Sequence, residues 1–375
     1  MKILIAPDSY KGCLGSLEVA MAMTKGIKAI SADIETVSIP FADGGEGTVE
    51  AMLAGAGGRI VKARVTGPLG DKIDSFYGIL DDGHTAVIEM AAASGLALVP
   101  EDSLNPMLTT TYGTGELIRM AMDAGCTDII IGVGGSATND CGTGMAQALG
   151  VVFYDEDKNA LSGCGRTLNE IHSYDDTGLD PRVRNTNITV ACDVDNPLYG
   201  EKGAAHVYSP QKGADEIMIK ILDEGLENLN SIVNNHCGID MNSIKGSGAA
   251  GGLAGGLVAF TGAKLEKGIN IVSDVCRLDD KMKEADLALT GEGRTDYQTA
   301  FGKVPAGIAE SAARFNVPVI CISGSLGKGY EEIFNIGITA AFSISQGPGS
   351  LEDSMKNAAE YIERTTRNIV AVYMK

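Results

Sequence analysis

The sequence predicts an α/β protein of two different domains: a discontinuous parallel-sheet domain from both chain ends and an inserted mixed-sheet domain. Three observations predict it. Short apolar runs alternate with helical patterns at both ends of the chain, the order that builds a parallel sheet. In the middle, the apolar runs are separated by hairpin signals instead. Finally, 375 residues exceed what one hydrophobic core usually serves. The expected division is 1–56 with 285–375 as the discontinuous domain and 57–284 as the insertion. Two crossings between the domains would make a cleft with hinge motion.

In chain order, Lys2–Ala6 is a short apolar strand. Ser16 is placed to cap a helix whose residues Leu17, Ala20, Met21, Thr24 and Ile27 fall on one face. A strand at Glu35–Ile39 and a glycine-rich loop lead to a helix through about Ala56. Ile60–Val65, Ser75–Leu80 and Thr85–Glu89 then read as strands, split by Gly67-Pro68-Leu69-Gly70 and Asp81-Asp82-Gly83. A helix at Gly113–Ala124 precedes the apolar run Asp128–Gly132, and a helix at Thr143–Leu149 and a strand at Val151–Tyr154 follow it. Residues 155–187 read mainly as polar loop. Ile188–Cys192 is a strand, Ala214–Asn235 a long helix, and 246–256 a Gly/Ala-rich segment. From Asp286 the alternation returns, with strands at Asp286–Thr290, Val317–Ser323 and Ile338–Ser343 and helices near 303–315 and 328–335. Ser350-Leu351-Glu352-Asp353 is a capping box for the last helix.

Composition narrows the partners. With 49 acidic and 30 basic residues the net charge is −19, which argues against nucleic acid and against an anionic membrane. Eight cysteines form no C-x-x-C pair and no metal spacing with the four histidines, so reduced, mostly buried thiols are expected. The amino terminus lacks a signal-peptide apolar region, and the longest low-charge stretch is too rich in Gly and Ala to span a bilayer. These features predict a soluble, cytoplasmic protein acting on a small molecule. An anionic substrate would need local positive charge against the global field, so each Lys or Arg in a glycine-rich loop becomes a candidate.

Five loops concentrate functional residue types. Asp8-Ser9-Tyr10-Lys11-Gly12 follows the first strand, where α/β proteins hold ligands; it reads equally as a capping turn with solvated charges. Asp43-Gly44-Gly45-Glu46-Gly47 could hold Mg²⁺ or form an acidic first helical turn. Gly132-Val133-Gly134-Gly135-Ser136-Ala137 follows a strand, with Asp155 beyond it, which nearly matches a dinucleotide fingerprint. The polar residues Ser136, Thr138, Asn139 and Asp140 break that match and suit phosphate oxygens and a metal. Asp193, Asp195 and Asn196 follow a strand and precede Gln211-Lys212-Gly213; a carboxylate at a strand end is a natural general base, or an Asx turn before Pro197. The fifth loop, Thr290-Gly291-Glu292-Gly293-Arg294-Thr295-Asp296 with Gly302-Lys303, collects donors and cations into an anion site. Ser247-Gly248-Ala249-Ala250-Gly251-Gly252 could also line phosphates, and close helix packing explains its small residues equally well.

Together these loops resemble the motifs of the bacterial glycerate kinases of type 1. The resemblance also takes in Thr110-Thr111-Tyr112-Gly113-Thr114-Gly115-Glu116, Ala191-Cys192-Asp193-Val194-Asp195-Asn196-Pro197 and Pro210-Gln211-Lys212-Gly213-Ala214. It covers nearly the whole chain in order. Cys141 and Lys245-Gly246-Ser247-Gly248 depart from the family pattern without removing a charged group. The resemblance implies phosphorylation of D-glycerate with ATP and Mg²⁺, on a flavodoxin-like domain and one similar to the restriction-endonuclease fold. It does not distinguish 2- from 3-phosphoglycerate as product, nor a monomer from a homo-oligomer.

Residue chemistry then assigns roles. Asp193 is the expected base, and Lys11 a catalytic and substrate-binding cation. Gly134, Gly135, Ser136 and Thr138, with Gly291 and Gly293, are expected to cradle ATP. Asp8, Ser9, Arg294 and Lys303 are expected to bind glycerate, and Asp43 and Asp140 to hold Mg²⁺. The competing readings are an NAD-dependent oxidoreductase, resting on the G-x-G-x-x-A match with Asp155, and a non-catalytic nucleotide-binding regulator.

Overall fold

In the computed structural model, which describes residues 1–41, 44–347 and 349–375, the chain divides into two compact units. One comprises Met1–Ala42, Glu50–Gly57 and Gly268–Lys375; the other comprises Asp43–Val49 and Gly58–Lys267.

The first unit is built on an all-parallel sheet of five strands. Their spatial order is Ala340–Ser343, Val319–Ser323, Leu287–Gly291, Lys2–Pro7, Glu35–Ser38. Numbered along the chain and read from the Glu35 edge, this is 2-1-3-4-5, the flavodoxin-like order, whose switch point lies between strands 1 and 3. Leu287–Gly291 and Val319–Ser323 are buried along their whole length, as strands covered by helices on both faces must be. The helix Ser16–Lys28 covers the sheet with Val19, Ala20, Met23 and Ile27. Its buried stripe is rotated from the expected one, and Met21 is 57% exposed. Ser16 is the first helical residue rather than the cap; Gly15 caps, its N–H donating to Glu18 Oε2 at 2.9 Å. At the far end Ser350 caps as expected, its Oγ accepting from Asp353 N at 3.0 Å. The helix it starts is interrupted at Asn357, giving Leu351–Lys356 and Ala358–Tyr373.

The second unit carries a six-stranded mixed sheet in the order Lys264–Glu266, Asn187–Ala191, Asp128–Gly132, Thr85–Glu89, Lys72–Leu80, Gly58–Thr66. The first four are parallel and Lys72–Leu80 runs antiparallel to both of its neighbours, so the hairpin signals and the buried apolar runs meet in one sheet. The helix Glu216–Cys237 is capped by Asp215, which accepts from Met218 N at 2.8 Å, and ends at Gly238 with φ +76°. A left-handed residue is what such a helix end requires. The segment 155–187 is not mainly loop. Ala160–Leu161 and Ser173–Asp175 pair antiparallel with Val152–Tyr154, and two 3₁₀ turns lie among them. Strands of two or three residues are too short to show a period in sequence.

Two segments fall on the other side of the expected division. Val49 N donates to Glu89 Oε1 at 2.7 Å, tying Asp43–Val49 to the larger unit. Helices Gly268–Val275 and Leu278–Lys283 pack with Val304–Phe315 in the terminal unit: Ile269 lies against Gly307, and Ser311 Oγ donates to Asp279 at 2.7 Å. Periodicity shows that a helix has an apolar face but not which core the face covers. Among the described residues no helix is long and apolar enough to cross a membrane, and the eight cysteines are unpaired.

Candidate functional site

In the larger unit, Asp128–Gly132 delivers its loop to the carboxyl edge of the sheet. Gly134 N donates to Gly44 O at 2.9 Å, and a Cβ on Gly134 would lie 2.7 Å from Gly45 Cα, so only glycine allows this approach. Gly135 follows with φ +73°. Beside them lies a cavity of about 240 Å³, lined by Gly134, Gly135, Ser136, Asp193, Tyr208 and Lys212. Asp193 reaches it from the end of Asn187–Ala191. Tyr208 donates its hydroxyl to Asn196 Oδ1 at 2.7 Å, and burial raises its pKa.

Lys212 went unassigned in the sequence reading. It is 1% exposed, and its Nζ donates to Ser136 Oγ and to Thr138 O, each at 2.6 Å. Burial pulls its pKa from 10.5 down to about 7, opposed by the nearby charge of Asp140. Its neighbourhood holds unmet polar groups. Thr138, Asn139 and Ser247 are fully buried, and among the described residues Thr138 Oγ1, Asn139 Nδ2 and Ser247 Oγ have no hydrogen-bond partner.

Asp140 is not presented to the cavity as a metal ligand. Its carboxylate is fully buried and accepts four hydrogen bonds, from Thr111 N and Oγ1 (both 2.8 Å), Gly144 N (3.2 Å) and Gly142 N (3.1 Å). Burial raises its pKa and those bonds pull it back down. It is a bracket that fixes the Thr111 turn to the start of the next helix, and Thr111 Oγ1 in turn accepts from Met145 N at 2.9 Å. The other expected metal ligand, Asp43, lies outside the described residues. Among those described, no group of three or more His, Cys, Asp or Glu is placed to hold a metal.

In the terminal unit the switch point gathers the expected residues. Asp8 N donates to Gly291 O at 2.8 Å, and Ser9 N to Asp8 Oδ1 at 2.6 Å. Gly291 packs so tightly on the next strand that a Cβ would fall 1.7 Å from Ile322 O; on Gly293 it would be 3.3 Å from Lys11 N. Thus the backbone of Asp8 lies beside Gly291, and that of Lys11 beside Gly293, at the carboxyl ends of neighbouring strands. The two other cations are not free donors there. Lys303 Nζ is 3.0 Å from Glu292 Oε2, while Glu292 Oε1 accepts from Thr295 (3.1 Å) and Thr299 (2.5 Å). Arg294 has a 67% exposed side chain beside Asp296, at 3.7 Å. Glu292, only 6% exposed, is therefore the residue that organises this loop. Its sequence signal was the run Thr295, Thr299 and Lys303 following it at short intervals.

The dinucleotide alternative lacks its geometry. Asp155 follows Val152–Tyr154, which belongs to the small antiparallel sheet and not to the strand beside Asp128–Gly132. The helix after the glycines begins only at Thr143.

Comparison with known proteins agrees with the motifs. Residues 3–374 match the model of the glycerate kinase family. A glycerate kinase of Bacillus subtilis (strain 168) is 48% identical over 371 residues, spanning 99% of this chain and 97% of that protein. A glycerate 2-kinase of Escherichia coli (strain K12) is 48% identical with the same coverage. The crystal structure of a presumed glycerate kinase 2 from Salmonella typhimurium LT2 superposes with a TM-score of 0.88 at 49% identity, covering 100% of this chain and 98% of that one. Matched over its whole length in sequence and in fold, this chain belongs to the glycerate kinase family.

Proposed function

We propose that this enzyme transfers the terminal phosphoryl group of ATP to the 2-hydroxyl of D-glycerate, giving 2-phosphoglycerate and ADP. The full-length match to glycerate kinases carries the reading, and the name of the Escherichia coli relative, a 2-kinase at 48% identity, favours the 2-position. Phosphoryl transfer demands mainly positioning and charge neutralisation, and the residues suit it. The backbone of Gly134 and Gly135 with Ser136 offers a close cradle for phosphate oxygens. Asp193, in the same cavity, accepts the proton of the glycerate hydroxyl. In the terminal unit Asp8, Ser9 and Lys11 offer polar groups suited to the carboxylate and hydroxyls of glycerate, and Gly291 and Gly293 beside them offer backbone for ATP. ATP would supply the phosphoryl group and Mg²⁺ would offset the charge of its phosphates, with Asp43 the carboxylate proposed to hold the metal. Unpaired cysteines fit a reducing, cytoplasmic setting.

Phosphorus NMR of the product from ATP and D-glycerate tests this directly. A phosphate coupled to the single C2 proton is expected. Coupling to two C3 protons overturns the regiochemistry, and no phosphoglycerate at all overturns the reading. Asp193→Asn is expected to lower kcat by about 10²–10⁴; unchanged turnover removes it as the base.

A further inference from the structure

Lys212 is an enclosed amine that makes no ion pair among the described residues, with Asp140 the nearby charge acting on it. It is 1% exposed, and no carboxylate lies within ion-pair distance of its Nζ among the described residues. Its two acceptors, Ser136 Oγ and Thr138 O, are neutral, so among the described residues one of its three N–H donors has no acceptor. Buried charges are normally paired or hydrogen-bonded in full, because an unpaired one is costly. Yet this side chain lines a cavity, and a ligand in that cavity can supply the missing charge.

Another part of the lining points the same way. Ala249 and Ala250 line the same cavity, on a turn where Ala250, Gly251 and Gly252 have φ of +55°, +67° and +87°. A run of left-handed residues is unusual and is strained at an alanine. Gly251 packs so closely under Thr138 that a Cβ would lie 2.0 Å from Thr138 O, the carbonyl that holds Lys212. The turn thus packs against the carbonyl that holds the lysine, next to Thr138 Oγ1 and Asn139 Nδ2, which have no partner among the described residues. An ammonium acts as a point charge and suits a phosphate, whereas a planar carboxylate is better matched by a guanidinium fork.

We propose that Lys212, with the Gly134–Gly135 backbone and the Ala249–Ala250 turn, forms the subsite that binds a phosphate group of the nucleotide. This rests on the kinase reading above and deepens it. The glycerate carboxylate is assigned above to the terminal unit, so loss of the Lys212 ammonium should weaken phosphate binding more than glycerate binding.

The test uses inorganic pyrophosphate and D-glycerate as separate probes, titrated calorimetrically into wild type and Lys212→Met. Pyrophosphate affinity is expected to fall on the order of 10–100-fold, with glycerate affinity unchanged within about twofold. Unchanged pyrophosphate affinity overturns the proposal, and a selective loss of glycerate affinity reassigns the lysine to the carboxylate. If the variant does not fold, wild type is read by ¹⁵N-lysine NMR. Pyrophosphate is expected to shift the Lys212 side-chain resonance where glycerate does not, and a resonance unmoved by saturating pyrophosphate overturns the proposal. The product assay separates the two levels. Glycerate phosphorylation with pyrophosphate binding that ignores Lys212 sinks only the subsite. Pyrophosphate binding through Lys212 without glycerate phosphorylation sinks only the kinase reading.

Discussion

Replacing Asp140 by Asn separates two roles that a buried carboxylate could have, a structural bracket and a metal ligand. Oδ2 accepts three hydrogen bonds and Oδ1 one. An amide can keep its oxygen at the Oδ2 position, but its NH₂ then faces the Gly142 N–H, donor against donor. Leaving that buried donor unsatisfied costs about 1–3 kcal/mol. The three retained bonds lose their charge assistance, worth roughly another 0.5 kcal/mol each. Sparing the burial of a full charge offsets part of this. A net loss of about 2–4 kcal/mol is therefore expected. Urea unfolding followed by far-UV circular dichroism measures it on the transition that includes the larger unit, since the two units need not unfold together. A parallel Mg²⁺ titration of activity should show an unchanged Mg²⁺ requirement for the variant that remains folded. Stability within about 0.5 kcal/mol of wild type, coupled to a tenfold higher Mg²⁺ requirement, would refute the bracket and restore the ligand role.

Other perturbations probe the remaining loops. Gly291→Ala should abolish stable folding of the terminal unit or cost more than about 3 kcal/mol, because the Cβ would meet Ile322 O at 1.7 Å between paired strands; soluble, fully active protein would contradict the close packing. Glu292→Gln should turn an amide donor toward Lys303 and release it, lowering kcat/KM for glycerate by about an order of magnitude; steady-state kinetics with a denaturation control would show otherwise if kcat/KM held. Lys212 has a folded pKa of about 7, below its ordinary 10.5, so the unfolded chain binds the extra proton between these values. The penalty for burying it is complete at and below pH 7 and is relieved as pH rises toward 10.5. Lys212→Met should therefore be more stable than wild type by the widest margin near pH 7, a few kcal/mol in order of magnitude, with the margin shrinking as pH rises. A pH-independent difference between the two denaturation series would show that the amine is not charged in the unfolded state alone over that window.

Legibility in the sequence followed the range of the interaction. Local signals carried far: the apolar runs at Lys2–Ala6 and Thr85–Glu89, the Ser350 cap, the hairpin signals and the glycine loops all depend on residues close in the chain, and they were enough to read an α/β fold and the family motifs. The rotated helix stripe at Met21 and the small strands within 155–187 were lost because each is decided by neighbours distant in sequence.

The site divides along the same line. From sequence alone, Asp140 and Lys212 are two charged residues in polar loops, the first expected to hold a metal and the second named in a motif without a role. Tertiary structure reverses their weight: four hydrogen bonds from Thr111, Gly142 and Gly144 use up the carboxylate, while enclosure leaves the ammonium with neutral partners and a cavity. Lys303 and Arg294 likewise read as equal cations until Glu292 claims one and solvent the other. Sequence determined which chemical groups the protein owns and where along the chain they fall. Only the folded structure decided which charges are neutralised inside the protein and which are left for a ligand, because burial and pairing depend on chain segments that meet only in three dimensions.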